Sequence, residues 1–514
     1  MAQRQQQLPR LREIPFDSRR RMMTVVLNWQ AADLWVDELP YLAFTKGAPL
    51  EVLKHCHEIL HDGVAQELSQ AVWQQVVQAN DNLACQGFRV LGLAARKGSQ
   101  ELLDLPDQEL EQNLIFVGLV AMFDPPRPEV KRAIERCHTA GIKVTMVTGD
   151  YGLTAEAIAR NIGLVVGEKV RVVTGENMGQ LSAAQLRQTL KYRGGLVFAR
   201  MSPEHKLRLV QAYKDIGEVV AVTGDGVNDA PALRAANIGI AMGLNGTDVA
   251  REAADIVLTD DNFATIVVAI EQGRSIYQNI RKFMTYILAS NVPEIVPFLG
   301  MVALKIPPAL TILQILAVDL GTDMVPALAL GAESPEPGIM ERPPRPRKES
   351  LLNGALLLRA YGFLGAIEAV LSMTGFFLVW SGYGYSLADL QQVTPAILAH
   401  TAEPAVTAIY RQSTTMTLAV IVACQVGNLF ACRSDLRSAF RQSRSNNSLL
   451  WFGICFECVA LFAFIDFPPF RYVFATASLA PGHWLLVLLC PPLLLGAEEL
   501  RKMWLRRRRS SDRA

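Results

Sequence analysis

Six long apolar segments occupy the second half of the chain, and they constrain its fold more than any other feature. Each is about 20 residues long, the length that an α-helix needs to cross the hydrocarbon core of a bilayer. Charged residues dominate before about residue 260, so polar and apolar sequence are segregated. The sequence therefore predicts an all-α, six-helix transmembrane bundle after a polar amino-terminal half, with spans at 277–304, 310–330, 355–380, 415–431, 449–467 and 483–500.

Clusters of arginine and lysine between these segments indicate the orientation of the chain. They lie at 342–348, 433–444 and 506–509. By the positive-inside rule, these clusters and everything before about residue 275 face the cytoplasm, and we expect the plasma membrane as the location. A bundle of buried soluble helices is the alternative, which the basic asymmetry disfavours. The net charge of +1 gives no case for nucleic acid as a partner.

Polar residues interrupt the first two apolar segments at helical spacing. In the first segment they surround Pro293, which has no N–H and so leaves a backbone carbonyl without its helical partner. In the second segment they follow Asp319 at a spacing of three and four residues, which places them on one helix face. Carboxylates near a bilayer centre are costly unless they bind something positive. The sequence predicts a site for a transported cation (Na⁺, K⁺, Ca²⁺ or a proton) or, alternatively, a hydrogen-bonded structural network. The candidates are Ser290, Asn291, Glu294, Asp319, Thr322 and Asp323, and the later residues Gln425, Asn428 and Glu457 either extend the site or line a proton path.

Strand-like and helix-like stretches alternate before the apolar segments. Amphipathic helices are predicted at 130–140, 153–162 and 203–214, and apolar strands at 142–147, 196–199, 219–222 and 238–241. This alternation is typical of a doubly wound α/β fold, which binds ligands at the carboxyl ends of its parallel strands. Asp150 and Asp225 each follow a predicted strand, so we expect them to converge at that edge.

The heptapeptide 223–229, Thr-Gly-Asp-Gly-Val-Asn-Asp, predicts a magnesium-phosphate site. Its two glycines allow the backbone to turn tightly and approach a phosphate, while the carboxylates and the amide offer hard oxygen ligands for Mg²⁺. An ordinary Gly-Asp turn is the alternative. Lys206 can place a positive charge beside a phosphoryl group, and Thr148 lies in a second turn at the end of a strand. Together with Asp225 they form a set of residues suited to phosphoryl transfer, which lacks only a nucleophile. We predict Asp225 and Asp229 as Mg²⁺ ligands and Thr148, Gly149, Asp150, Lys206 and Asn228 as catalytic residues.

An upstream set of residues is compatible with nucleotide binding. Phe16 is expected to stack on a base, and three basic side chains are expected near phosphates. Hairpin core and solvated charges explain each residue equally well in isolation. The predicted ATP-binding residues are Phe16, Arg21, Lys46, Gly47 and Arg89.

Taken in order, these motifs resemble those of the P-type cation-transporting ATPases from about residue 16 to residue 500. The order is Lys-Gly-Ala-Pro from 46, Asp-Pro-Pro-Arg from 124, Thr-Gly-Asp from 148, the heptapeptide 223–229, and then six spans. The resemblance implies a partial α+β nucleotide-binding domain at 1–113, an α/β haloacid dehalogenase-like phosphorylation domain at 114–265 and a transmembrane domain at 266–514. It implies that Asp225 holds Mg²⁺, that Lys206 and Thr148 contact the phosphoryl group, that Asn228 and Asp229 support them, and that Phe16 and Lys46 line the ATP pocket.

Two departures from the family pattern concern the mechanism. The sequence contains no Asp-Lys-Thr-Gly motif, which carries the aspartate that the family phosphorylates. It also lacks the first four membrane spans of the family and contains only the six that follow them. The segments from Ser290 and Asp319 look more like those of sodium,potassium and proton,potassium pumps than those of calcium pumps, which favours a monovalent cation. We therefore expect the carboxyl-terminal part of a cation pump, inactive without an amino-terminal pump fragment as partner. The alternative is a non-catalytic nucleotide-binding membrane module.

Overall fold

The computed structural model describes residues 8, 10–17, 19–28, 39–165, 170–192, 194–441 and 447–511. The chain divides into two compact units, an amino-terminal unit (Met1–Val267) and a carboxyl-terminal unit (Val268–Ala514). Each unit holds one of the two candidate sites.

A seven-stranded sheet opens the amino-terminal unit, with strand order β1-β2-β3-β6-β7-β4-β5. Side chains alternate between its faces, and one face packs on a helix that Ser69 caps, through a core that includes Leu114 and Phe116. The sheet continues beyond residue 113, where we expected the nucleotide-binding domain to end, because β7 fills the place between β6 and β4. The strands are β1 (Arg10–Asp17), β2 (Met22–Asn28), β3 (Tyr41–Gly47), β4 (Cys56–His61), β5 (Val64–Glu67), β6 (Arg89–Gly98) and β7 (Leu114–Met122), and the helices are α1 (Pro49–Lys54), α2 (Gln70–Cys85) and α3 (Asp107–Leu110).

The rest of this unit contains two three-stranded parallel sheets, ordered β8-β10-β9 and β11-β12-β13. The sequence predicted one continuous sheet; among the described residues, no ladder joins the two. The strand predicted at 142–147 is reduced to two residues, because β8 has a hydrogen-bonding neighbour on one side only. The strands are β8 (Met146–Val147), β9 (Val170–Thr174), β10 (Gly195–Ala199), β11 (Ala221–Gly224), β12 (Ile238–Met242) and β13 (Ile256–Leu258).

Helices connect these strands close to the predicted positions. The predicted helices at 130–140, 153–162 and 203–214 are present, and none of their ends is shifted by more than two residues. Two buried clusters, one around Phe198 and one around Val197, lie on opposite sides of β10, because neighbouring residues of a strand point to opposite faces. The helices are α4 (Pro128–Thr139), α5 (Gly152–Asn161), α6 (Gly175–Gln180), α7 (Ala183–Leu190), α8 (Pro203–Asp215), α9 (Ala230–Ala235) and α10 (Asp248–Ala253).

In the described part of the chain, six helices are long and apolar enough to cross a membrane, as predicted. The fourth begins eleven residues before the predicted residue 415, because hydroxyls near its start are satisfied within the helix: Thr415 donates to the backbone carbonyl of Arg411. Shorter helices, Leu387–Leu398 and Pro468–Phe474, lie in the connections. The spans, numbered 1 to 6, are Phe263–Leu304, Ile312–Gly331, Gly354–Gly382, Pro404–Cys432, Ser448–Asp466 and Pro481–Arg508.

Glycines allow several pairs of spans to pack closely, and two of these pairs include spans 1 and 2, which carry site residues. A Cβ atom at Gly365 in span 3 would lie 2.5 Å from Cγ2 of Val292 and 2.7 Å from the carbonyl oxygen of Ala289, both in span 1. A Cβ at Gly453 in span 5 would lie 3.1 Å from Cα of Pro326 in span 2. Small residues at such contacts let helix backbones approach in a membrane. Spans 3 and 5 therefore each press one face onto a span that carries site residues.

We expect Gly365→Ala to destabilise the carboxyl-terminal unit by about 1–3 kcal/mol, because the added methyl group overpacks the contact with span 1. The matched control is Gly496→Ala in span 6, where an added Cβ meets nothing within 4 Å. Thermal unfolding of both variants in lipid nanodiscs measures the difference. Equal unfolding temperatures for the two variants would contradict the close packing of spans 1 and 3.

Candidate functional site

The predicted magnesium turn follows β11 and leads directly into α9. Its backbone is fixed locally: the amide N–H of Gly226 donates to Oδ2 of Asp229 at 3.3 Å, and the carbonyl of Asp225 accepts from the N–H of Thr247 at 2.8 Å. A Cβ atom at Gly224 would collide with the side chain of Asp229. The side chains of Asp225 and Asn228 are exposed, whereas Asp229 is buried. The turn therefore presents one free carboxylate and one amide.

An ion pair joins this turn to the first turn of α8. Nζ of Lys206 lies 2.5 Å from Oδ1 of Asp229, and the two side chains are 19% and 12% exposed. Ser202 caps α8 by accepting from the N–H of His205, which fixes the start of the helix. Helix α8 follows β10, and Asp229 follows β11. The ion pair therefore connects the carboxyl ends of strands from the two three-stranded parallel sheets, which we call the two half-sheets. The structure thus brings together Lys206 and Asp229, which sequence reasoning assigned to one site.

The Thr-Gly-Asp turn lies at the end of β8. The hydroxyl of Thr148 donates to Oδ2 of Asp150 and accepts from the N–H of Asp150, both at 3.1 Å, while Gly149 between them is exposed. The carbonyl of Asp150 accepts from the N–H of Arg200 just after β10. The hydroxyl of Thr148 therefore bonds within its own turn. This turn lies at the end of the half-sheet β8-β10-β9, whereas Asp225 follows β11 in the other half-sheet.

Tyr151, next to this turn, anchors it to α2. Its hydroxyl donates to Oδ1 of Asp81 at 3.1 Å, and the guanidinium of Arg200 lies over its ring at 4.9 Å from the centroid. Burial, with the Asp81 carboxylate as a second cause, raises the pKa of Tyr151. The phenol therefore stays a hydrogen-bond donor at neutral pH.

We expect Lys206→Met to open the turn, because it leaves the Asp229 carboxylate buried without its cation. The coupling energy between Lys206→Met and Asp229→Asn in a double-mutant cycle should be about 1–3 kcal/mol. Hydrogen exchange of the amides in the turn and α9 measures it in the full chain. Lys191→Met, at an exposed lysine directly after α7, is the control. Additive effects of the two substitutions would show that the ion pair contributes nothing to the turn.

The predicted ATP-binding residues lie in the seven-stranded sheet. Lys46 of β3 stands opposite Leu93 of β6, and Arg89 lies four residues earlier on β6, so both basic residues share one face of the sheet. Both are exposed. Phe16, at the end of β1, is 63% exposed. These three side chains are therefore accessible to a ligand.

The backbones of Arg21 and Gly47 pack directly against each other. A Cβ atom at Gly47 would lie 2.5 Å from the carbonyl oxygen of Arg21, which accepts from the N–H of Ala48 at 2.9 Å. Arg21 has a φ of 57°, and its guanidinium lies 3.8 Å from the carboxylate of Glu51. This pair shapes the entry to β2 and α1.

Three carboxylates converge in the carboxyl-terminal unit. Oxygen atoms of Glu294 in span 1 and of Asp319 and Asp323 in span 2 all lie within 4.8 Å of one another. Glu294 and Asp323 are buried, and Asp319 is partly exposed. Asp323 accepts hydrogen bonds from the Ser290 hydroxyl at 2.6 Å and the Tyr286 hydroxyl at 3.4 Å. Hard oxygens grouped this closely can hold a cation.

A π-helical turn shapes the second span around this group. The sequence predicted that Asp319, Thr322 and Asp323 would line one face of an α-helix, but residues Ala317–Thr322 are π-helical, and the N–H of Asp323 bonds to the carbonyl of Val318, five residues back. The α-helical spacing was wrong because an added residue widens the turn. Thr322 bonds to Gln425 at 3.2 Å instead of joining the carboxylates.

Span 4 closes a hydrogen-bonded ring around the same site. Nε2 of Gln425 donates to the hydroxyl of Ser290 at 2.8 Å, so Gln425 links Thr322 to Ser290. Asn291 is partly buried on span 1, three residues before Glu294.

Sequence reasoning missed Tyr286, which gives no signal beyond an aromatic residue in an apolar run. It also missed Glu368, the one acidic residue in the apolar segment 355–380.

Three known families match this chain in succession. Residues 1–129 match the family described as P-type ATPase, cytoplasmic domain N, residues 206–270 match the haloacid dehalogenase-like hydrolases, and residues 307–504 match the carboxyl terminus of cation transporting ATPases. The chain belongs to the P-type cation-transporting ATPase family. This P-type ATPase chain is a multi-pass membrane protein with a hydrolase-like domain, which confirms the resemblance at the level of the family.

Curated relatives of this P-type ATPase chain include pumps for different ions. It is 38% identical over 481 residues to the calcium-transporting ATPase of Bacillus subtilis (strain 168), covering 93% of this chain and 50% of the relative. It is 36% identical over 539 residues to the sodium/potassium-transporting ATPase subunit alpha-3 of Gallus gallus, covering 96% of this chain and 53% of the relative. The chain thus spans about half the length of the relatives it matches.

Proposed function

We propose that this chain forms the carboxyl-terminal half of an ATP-driven pump for a monovalent cation. The observation that carries the proposal is the divided parallel sheet. Both β8 and β11 are end strands, each followed by a predicted catalytic turn, and the Lys206–Asp229 ion pair links the two half-sheets. One parallel strand between β8 and β11 would join them into a single sheet. An amino-terminal fragment that carries the phosphorylated aspartate would supply that strand.

The exposed side-chain oxygens of Asp225 and Asn228, just after β11, fit Mg²⁺. The turns at 148–150 and 223–229 fit a phosphoryl group. Asp225 and Asn228 would hold the ion, because Asp229 already accepts from Lys206. Bound Mg²⁺ would neutralise charge on phosphate oxygens. Lys206 positions Asp229 and adds positive charge. At the end of β8, the Thr148 hydroxyl would exchange its hydrogen bond to Asp150 for one to a phosphate oxygen. ATP would approach the face of the seven-stranded sheet that bears Lys46 and Arg89.

The transported cation would bind between spans 1 and 2, at Glu294, Asp319 and Asp323. Both calcium-transporting and sodium/potassium-transporting relatives match the chain, so identity alone does not choose the ion. The carboxylate at Asp319 favours a monovalent ion, because calcium pumps of the family usually have an asparagine there. In this proposal the protein lies in the plasma membrane with the amino-terminal unit in the cytoplasm, consistent with the basic clusters between the spans.

Co-expression with an amino-terminal fragment tests the proposal. The fragment is the part of the Bacillus subtilis relative that precedes the matched half, where the family pattern implies the phosphorylated aspartate. We expect label from [γ-³²P]ATP on the fragment, released by hydroxylamine as an acyl phosphate is, only when this chain is present. A fragment with that aspartate changed to asparagine is the control. ATP binding without any acyl phosphate would instead favour a non-catalytic nucleotide-binding module.

A further inference from the structure

The amino-terminal unit has two parts, the seven-stranded sheet with its helices and the two half-sheets with theirs. The last strand of the first part ends at Met122, and α4 of the second part begins at Pro128. The chain between them, which includes Asp-Pro-Pro-Arg from 124, forms neither helix nor strand. The placement of one part on the other therefore depends on non-covalent contacts between them.

Tyr151 and Thr154 make side-chain hydrogen bonds across the boundary between these parts. The Tyr151 hydroxyl donates to Oδ1 of Asp81 in α2 at 3.1 Å, and the Thr154 hydroxyl donates to the backbone carbonyl of Phe88 at 3.0 Å. Helix α2 packs on the seven-stranded sheet, whereas α5, which Tyr151 precedes, packs on β10. Residues three apart share a helix face, so one face of α5 carries both bonds.

Apolar packing extends this face by one more turn. A Cβ atom at Gly87, just after α2, would lie 4.0 Å from Cβ of Ala157 in α5 and 3.7 Å from the ring of Phe123. The rings of Phe88 and Phe123 have centroids 5.4 Å apart. Ala157 lies three residues after Thr154, on the same face of α5. The two parts therefore meet over a short, mixed polar and apolar contact.

The bond from Tyr151 to Asp81 has the features of a strong contact. Its acceptor is a carboxylate, and hydrogen bonds to charged groups are stronger than those between neutral groups. Nδ2 of Asn80 also donates to Oδ1 of Asp81, at 3.0 Å, which holds the acceptor in place. On the other side, the guanidinium of Arg200 lies over the Tyr151 ring at 4.9 Å from its centroid. The phenol is therefore fixed at both its ring and its hydroxyl.

This boundary adjoins both groups of residues that the sequence assigned to ATP. Arg89, a predicted ATP-binding residue, directly follows Phe88, and Asp150 of the Thr-Gly-Asp turn directly precedes Tyr151. The contact thus lies between the surface that would receive the nucleotide and the turn that would receive its phosphate.

We propose that Tyr151 is a positioning residue, which holds the nucleotide-binding part of the chain against the catalytic turns before ATP binds. The proposal rests on the pump function above and deepens it, because the contact sets the fraction of chains that is ready for ATP. When the contact is lost, the two parts separate about residues 123–127, and ATP must restore their arrangement. The apparent affinity for ATP then falls in proportion to the fraction that remains closed.

Two measurements on the full chain in lipid nanodiscs test this role. Hydrogen exchange at the end of α2 and the start of α5 reports the opening of the contact, and titration with fluorescent trinitrophenyl-ATP reports nucleotide affinity. Tyr151→Phe keeps the ring beside Arg200 and removes only the donor. We expect it to speed exchange at both helix ends and to weaken binding about tenfold, as is typical for a hydrogen bond to a charged group. Asp81→Ala should give the same result, and the double variant should be no weaker than either single one.

Tyr213→Phe is the matched control. Tyr213 of α8 shares a hydrogen bond of 2.9 Å with Thr145, and both residues belong to the half-sheet part. The substitution therefore removes the same atom from a bond of similar length that does not cross the boundary. We expect it to leave exchange at α2 and the affinity for trinitrophenyl-ATP unchanged.

Three results would overturn the positioning role. The first is equal exchange at α2 in Tyr151→Phe and Tyr213→Phe, and the second is faster exchange in Tyr151→Phe with unchanged affinity, which would make the contact merely structural. The third is an unsubstituted chain that binds no trinitrophenyl-ATP. The pump proposal fails on a different result, the absence of acyl phosphate after co-expression, which leaves both measurements here intact. Gel filtration checks the folding of each variant, and Asp81→Ala replaces Tyr151→Phe if that variant fails.

Discussion

Changing Asp225 to Asn is expected to lower the rate of aspartyl phosphorylation by a factor of about 100 to 1,000 in the assembled pump. The substitution keeps the shape of the turn but removes the exposed negative charge at the end of β11. Loss of one preorganised electrostatic contact to a reacting phosphoryl group costs about 3–4 kcal/mol of transition-state stabilisation. Rapid-quench labelling with [γ-³²P]ATP at saturating Mg²⁺ measures the rate.

Asp215→Asn is the matched control for this experiment. Asp215 is the exposed last residue of α8 and has the same charge, but it lies at the opposite end of that helix from Lys206. We expect its rate to equal that of the unsubstituted chain. Equal rates for Asp225→Asn and Asp215→Asn would mean that the turn does not hold the metal.

Changing Asp323 to Asn is expected to weaken binding of the transported cation by about a hundredfold, or about 3 kcal/mol. Asparagine can still accept from the Ser290 hydroxyl, so the substitution tests charge with little change in packing. A unit charge about 4 Å from a cation contributes about 4 kcal/mol at an effective dielectric constant of 20. Titration of the full chain with ²²Na⁺ measures the affinity.

Two further variants sharpen that test. Ser290→Ala removes the donor that orients Asp323, and we expect a loss of about tenfold, typical of a hydrogen bond to a charged group. Asp466→Asn, at the exposed end of span 5, should leave the affinity unchanged. An affinity for Asp323→Asn within twofold of the Asp466→Asn value would exclude Asp323 as a cation ligand.

Local sequence was sufficient to predict much of the carboxyl-terminal unit. Hydropathy located all six spans, because a bilayer demands long apolar helices whatever their tertiary partners. The helices of spans 1 and 4 begin 14 and 11 residues before their predicted starts, because polar residues there also join the helix. The π-helical turn around Asp319 was not predictable, since it depends on packing between spans and not on residue spacing. Glu368 is a lone acid in an apolar run, and its complete burial is visible only in three dimensions.

The amino-terminal unit shows a different limit. The turn at 223–229 and the end of β8 were predicted from glycine and carboxylate patterns, which depend on a few neighbouring residues. The division of the parallel sheet was not predicted, because strand pairing depends on which strands are available to pair. The Lys206–Asp229 ion pair also escaped detection as a contact, although both residues were selected for the site. Arg21 and Gly47 stay predicted ligand contacts, and their backbone contact with one another was not predicted.

ATP-driven cation uptake by sealed vesicles tests the central claim most directly. Vesicles contain this chain together with the amino-terminal fragment of the Bacillus subtilis relative, and uptake of ²²Na⁺, ⁸⁶Rb⁺ and ⁴⁵Ca²⁺ is followed in parallel, with a pH-sensitive dye for protons. Our account predicts ATP-dependent movement of a monovalent cation that disappears in Asp323→Asn. Vesicles that form the acyl phosphate yet move none of these cations, or that move only ⁴⁵Ca²⁺, would contradict it.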